Sequence, residues 1–221
     1  MDVEKEKPMD LNMQWHNETR GKKVAEALEK NGFTAAYFPD RASAAAHLIG
    51  LVPDGASVGF GGSMTIKAMD IEQRLTQKGC TLFDHGKAGL TPEERTALRR
   101  KQLSAGVFLC SSNAVTMQGE LVNVDGTGNR VAAMMFGPER VIVAVGTNKL
   151  VNTLEEAHAR IKTVAAPVNN KRINTPNPCV QAGECMDCRS KSRICNLTTI
   201  IHRRPPLTDI HVLVIGEELG Y

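Results

Sequence analysis

Apolar positions recur at helical spacing from Leu11 to Lys30, with Val24, Ala27 and Leu28 on one face and Gly32 as a stop. Thr34–Phe38 then reads as a short strand, and the alanine-rich stretch Arg41–Leu51 as a helix ending before Pro53. Ala56–Phe60 is an apolar strand that runs into Gly61-Gly62-Ser63-Met64-Thr65, after which Ile66–Gln77 reads as helical. Thr81–Phe83 is the next strand. Thr91-Pro92-Glu93-Glu94 opens a helix to about Leu103, with Thr91 as N-cap, Pro92 in the first turn and Glu94 completing a capping box.

Val107–Cys110, Glu120–Val124 and Val141–Val145 are further strands. Arg130–Phe136 fits either a helix or a strand, and Leu154–Val164 is helical. Residues 171–208 show little periodicity and many Pro, Asn, Arg and Lys residues, and Val212–Ile215 closes the pattern as a last strand. Strands alternating with helices predict an α/β fold with a mostly parallel sheet flanked by helices. Ligands of such sheets sit at the carboxyl ends of the strands. Residues 15–221 read as one domain carrying a cysteine-rich insertion at 171–208, and residues 1–14 as a flexible tail.

Composition narrows the classes. A net charge of +3 and 4% aromatic residues lack the basic footprint and stacking aromatics of a nucleic-acid binder. The charged N-terminus has no secretory h-region, and no apolar run approaches the roughly 20 residues of a bilayer span. These features predict a cytoplasmic protein that does not insert into membranes.

Three segments carry candidate chemistry. Cys179, Cys185, Cys188 and Cys195 fall within seventeen residues as C-x5-C-x2-C-x6-C, while the chain has six cysteines in all. Four thiolates are a full ligand set for zinc or for an iron–sulfur cluster, and clustered cysteines in a reducing compartment point to metal more often than to disulfides. Lys171, Arg189, Lys191 and Arg193 nearby suit the net negative charge of either centre. Cys80 and Cys110 lie at or in strands and read as small hydrophobes.

The turn Gly61-Gly62-Ser63-Met64-Thr65 joins a strand to a helix. Its free N–H groups, with the Ser63 and Thr65 hydroxyls, make a candidate anion cradle, although it matches neither the Walker A nor the dinucleotide fingerprint. The third segment runs from Ser111 to Arg130 and places Asn113, Thr116, Asp125, Asn129 and Arg130 around apolar strands. Arg130 offers a fork donor for a carboxylate or phosphate, and Glu120 a base or nucleophile. A shared ligand edge predicts that Asp125, Asn129 and Arg130 face the glycine turn. The six histidines share no metal spacing; His85 follows a strand and could reach the pocket, but a surface residue is the favoured reading.

Several of these segments together resemble the LUD-domain family of lactate-utilisation proteins. The resemblance rests on Gly61–Thr65, Asn113–Thr116 with Gly119, Asn123–Arg130, Arg172–Asn196 around the cysteines, and the closing Gly216–Tyr221. It implies a fold like ribose-5-phosphate isomerase, glucosamine-6-phosphate deaminase and the CoA transferases. It also implies a small anionic metabolite as ligand, and a part in oxidising lactate or a related 2-hydroxy acid beside redox partner subunits. Larger members carry ferredoxin-like iron–sulfur modules, which this chain lacks. The four-cysteine loop of this chain is a different arrangement from that module, and an iron–sulfur cluster on it is the first reading. A structural zinc in a non-redox isomerase or CoA-transferase-like enzyme is the alternative, and a homo-oligomer is compatible with either.

Overall fold

The structure, a computed structural model, describes residues 10–221. Helix α1 (Leu11–Lys30) has the predicted bounds, with Asp10 accepting hydrogen bonds from the amides of Asn12 and Met13 as its cap; it takes in the last four residues of the expected tail, of which residues 1–9 lie outside the described residues. Strand β1 (Thr34–Phe38) and helix α2 (Arg41–Leu51) follow as the pattern predicts, and β2 (Ser57–Phe60) leads into the glycine turn. The single helix expected over 66–77 is two, α3 (Met64–Ala68) and α4 (Glu72–Gln77). Asp70 between them has φ +48°, a left-handed conformation that an aspartate tolerates and a helix does not. Strand β3 (Thr81–Asp84) precedes α5 (Pro92–Gln102), which has the predicted Thr91–Glu94 capping box.

After β4 (Val107–Cys110) come β5 (Ala114–Thr116) and β6 (Leu121–Asp125). The ambiguous segment is helix α6 (Asn129–Met135), followed by β7 (Arg140–Gly146) and β8 (Leu150–Val151). Helix α7 (Leu154–Arg160) does not stop at Val164. A π-helical stretch at Ile161–Ala165 carries it into α8 (Ala166–Arg172) past Pro167, which has no N–H to give. The cysteine region is less irregular than its composition suggests. It holds the short helix α9 (Cys179–Ala182) and strand β9 (Leu197–Ile201), before β10 (Asp209–Ile215) ends the fold.

Six strands form one all-parallel sheet in the order β1-β10-β7-β4-β2-β3. Both faces are covered, so its central strands are continuously apolar rather than alternating. Val141, Val143 and Val145 pack on one side with Val24 and Leu28 of α1 and Ala133 and Met134 of α6. Ile142 and Ala144 pack on the other with Ala44, Ala45 and Leu48 of α2 and Leu75 of α4. A second, mixed sheet in the order β8-β5-β6-β9 lies against the first face through Val115, Leu121, Leu150 and Ile201. Its far side packs on Ala157 and Ile161. Strands β5 and β8, of three and two residues, are too short to show a period, and the Leu197–Ile201 strand lies in the segment expected to be irregular. Among the described residues, no helix is long and apolar enough to cross a membrane.

Candidate functional site

A cleft of about 310 Å³ lies where β2, β3, β4 and β7 end, at the carboxyl edge of the parallel sheet. Gly61, Gly62 and Ser63 after β2, His85 after β3, and Ser111, Ser112 and Asn113 after β4 form one side of it. Asp125, Asn129 and Arg130 form another, with Lys149 at the base and Arg99, Arg172 and Tyr221 around the rim. Asp125 and Asn129 thus do face the glycine turn. Asp125 arrives from the end of β6 in the second sheet and Asn129 from the start of α6, however, and not from the edge of the main sheet. An adjoining cavity of about 360 Å³ shares Gly62, Ser63, Met64 and Arg172 but is also lined by Asp70, Glu72 and Asp84, which disfavours an anion there.

The glycine turn is shaped by contact. A Cβ on Gly61 would stand 3.0 Å from Cys110 Cβ and from Phe108 Cζ, and Gly62 has φ +73°. Ser63 lines the cleft and caps α3, its Oγ accepting from the Ile66 amide at 3.2 Å. Thr65 and Thr116 stand elsewhere than expected. Thr65 is fully buried behind the wall and its Oγ1 donates to Leu219 O at 2.9 Å. Thr116 is fully buried too, donating to Glu120 Oε2 at 3.0 Å outside the cleft. Glu120 also meets His202 Nδ1 at 2.8 Å, well away from the ligand edge.

Arg130 lies where it was expected but is fully engaged. Its side chain is 13% exposed, and Nε donates to Asp125 Oδ2 at 3.2 Å. Nη1 donates to Ser111 O and Asn123 Oδ1, and Nη2 to Asn113 Oδ1 and Val124 O. A guanidinium has five N–H donors, and all five are taken within the protein. The other oxygen of Asp125 accepts from the amides of Thr127 and Gly128. The expectation of a direct Arg130 contact to the ligand is therefore corrected. Arg130 cross-braces the ends of β4 and β6 and the start of α6, and Asn113 is part of that brace.

The cations left to a ligand are ones the sequence reading passed over. Lys149 is 2% exposed, and its Nζ bonds Thr65 Oγ1 at 2.8 Å and Ser111 Oγ at 3.0 Å. Burial, followed by the positive charges of Arg160 and Arg130, pushes its pKa down to about 7, with Cys110 opposing. Cys110 itself is buried and its pKa is raised to about 12, so it stays a thiol. The signal in the sequence was a lysine in Gly146-Thr147-Asn148-Lys149-Leu150-Val151, at the end of the most apolar strand. Such a place either buries a charge or uses it.

Arg99 lines the cleft with a buried Nε that has no hydrogen-bond partner among the described residues. His85 is a cleft residue, not a surface one. Gln102 turns its amide nitrogen to the carbonyls of Phe60 and Phe83 and sits 3.0 Å from His85 Nδ1. That orientation makes Nδ1 the acceptor and leaves the proton on Nε2, towards Gly62. Burial, then Arg99, lowers the His85 pKa, which keeps the ring neutral.

The four cysteines of the C-terminal cluster surround one cavity of about 20 Å³, together with Asn170, Asn177, Arg193 and Ile194. All are free thiols. The Asp187 amide points at Cys185 Sγ from 3.4 Å, in the loop between Cys185 and Cys188. Arg193 donates to the carbonyls of Cys188 and Cys195, and the Cys185 amide bonds Lys162 O at 2.8 Å, fixing the loop to the π-helical stretch. Burial raises the pKa values of Cys179 and Cys195, reinforced for Cys179 by Cys188 and for Cys195 by Cys185. Neighbouring thiols gathered on one cavity are the kind a cation would draw into thiolates. The number and chemistry of the donors fit a metal centre. Their spacing as free thiols does not yet, for among the described residues no group of three or more His, Cys, Asp or Glu side chains stands in a metal-chelating arrangement.

The fold and the cleft define a class: an α/β protein with a parallel sheet and a basic ligand site at its carboxyl edge. The family model of the LUD domain matches residues 21–215, and the chain belongs to that family. Membership supports a lactate-utilisation-related role. A crystal structure of a DUF162 family protein from Deinococcus radiodurans has a similar fold, with a TM-score of 0.50 at 13% identity. The match covers 94% of this chain and 99% of that one. No curated protein matches the chain in sequence.

Proposed function

We propose that the chain binds a small anionic 2-hydroxy or 2-oxo acid in the cleft and carries a four-cysteine metal centre beside it. Its role on this reading is the cytoplasmic oxidation of lactate or a related acid, in concert with redox partner subunits. One observation carries the proposal. Ile194 lines both the basic cleft and the cysteine cavity, so the two sites adjoin at that residue. Cys179, Cys185, Cys188 and Cys195 would hold the group, and an iron–sulfur cluster there supplies one-electron acceptance next to the bound acid. Lys149, Arg99 and Arg172 supply the charge that attracts a carboxylate, and neutral His85 supplies a donor at Nε2. Arg130 and Asp125 keep the cleft walls in place.

The test is purification without oxygen, followed by analysis of iron, zinc and acid-labile sulfide, and calorimetry with L-lactate and pyruvate. Iron with sulfide, a visible absorption band, and binding of either acid are the expected results. A second reading is favoured by the size of the cysteine cavity. About 20 Å³ suits a single ion better than a cluster, which matches a structural zinc in a non-redox isomerase or CoA-transferase-like enzyme. Zinc at one equivalent without sulfide would select it.

A further inference from the structure

Lys149 is built as an amine with one free valence. Thr65 Oγ1 and Ser111 Oγ each accept from its Nζ. Neither hydroxyl has a hydrogen to return, because Thr65 donates its own to Leu219 O at 2.9 Å and Ser111 donates its own to Ser112 O at 3.2 Å. In the free amine both N–H bonds of the lysine are thus donated to the wall. In the neutral amine the remaining position is the lone pair, and Lys149 opens on the cleft. Among the described residues no carboxylate pairs with Lys149, Arg99 or Arg172. An amine meant only to balance charge would have such a partner. An amine desolvated among cations is instead the arrangement that makes lysine a nucleophile towards carbonyl carbon.

We infer that Lys149 forms an imine with the carbonyl of a small 2-oxo acid held in the cleft. The Nζ lone pair adds to the carbonyl carbon of C2. The carbonyl oxygen then leaves as water with the two amine hydrogens, which give up their bonds to Thr65 and Ser111, and a C=N bond remains. Arg99 and Arg172 are the cations on hand for the acid's carboxylate. The inference rests on the cleft being the ligand site and is independent of the cysteine centre.

The experiment treats the full-length protein with pyruvate and borohydride near pH 8, then maps modified peptides by mass spectrometry. Borohydride gives hydride to the imine carbon and leaves a stable secondary amine, heavier than lysine by the probe less one oxygen. Modification of Lys149 is expected at roughly a hundredfold that of exposed lysines, which are almost wholly protonated at that pH. L-lactate, which has a hydroxyl in place of the ketone carbonyl, should suppress it by occupying the cleft, and Lys149→Arg should abolish it. Calorimetry with pyruvate is run in parallel. Binding without an adduct on Lys149, or with modification spread evenly over the lysines, overturns the imine and leaves the cleft reading standing. Neither binding nor adduct overturns both. Because the map is read on the native chain, the result does not depend on the variant folding.

Discussion

Replacing Arg130 with methionine keeps much of the side chain's volume and removes its five donors. What stays behind is Asp125, 9% exposed, with one carboxylate oxygen stripped of its partner, and four further acceptors on Ser111, Asn113, Asn123 and Val124. Removing one member of a buried ion pair costs about 3–5 kcal/mol, because the other charge stays in a medium of low dielectric. For a chain of this length each kcal/mol shifts the melting temperature by about 2–4 °C, so the variant should melt about 6–20 °C lower. Thermal and urea denaturation measure that loss. Pairing the change with Asp125→Asn should recover part of it, since the double variant no longer buries a lone charge, with a coupling of about 0.5–3 kcal/mol. Affinity for lactate or pyruvate, read by calorimetry where the variant is still folded, should fall much less than stability. Unchanged melting with an affinity loss of more than about tenfold would refute the reasoning, for it would show a guanidinium spent on the ligand and not on the walls.

Four other outcomes are expected. Lys149 gives up its proton near pH 7 in the folded chain, under the influence of burial, Arg160 and Arg130 against Cys110, but only near about 10.4 when unfolded. Between those limits the unfolded state binds more protons, so wild type should gain stability relative to Lys149→Met as pH rises, by on the order of a few kcal/mol; parallel pH profiles in urea denaturation would contradict this. Carboxylate binding should weaken over the same rise through pH 7, as the ammonium charge is lost. Gly119→Ala should destabilise by about 2–5 kcal/mol, since φ is +79° and the new Cβ would come within 2.7 Å of the α1 backbone at Ala27; a chemical denaturation midpoint near wild type would argue against that packing. Cys188→Ser should lower bound metal and raise protease cleavage between residues 175 and 200 while leaving the main melting transition in place, and equal metal content in both proteins would count against a shared centre.

Much of the architecture was legible in the chain. Apolar runs such as Val141–Val145 announce strands buried on both faces, the Thr91–Glu94 capping box starts its helix as read, and the alternation of strands and helices points to a parallel sheet whose carboxyl edge holds the ligand. These are properties of neighbouring residues, and neighbours are what a pattern records. The breaks that depend on one backbone angle, as at Asp70, or on a π-helical detour, as before Pro167, leave little trace in periodicity. The site divides in the same way. The glycine turn, Asn113 and Asp125 announced themselves by type and position after strands. The fate of Arg130 did not, because its five acceptors come from residues spread between Ser111 and Asp125 that only the meeting of two sheets brings together. Lys149 is the clearest case. Its character is set by Thr65, 84 positions away, and Ser111, 38 positions away, and by exclusion of water. Desolvation and a missing counter-charge belong to a folded surface and to no stretch of sequence, so tertiary structure alone turned an ordinary lysine into the centre of the cleft.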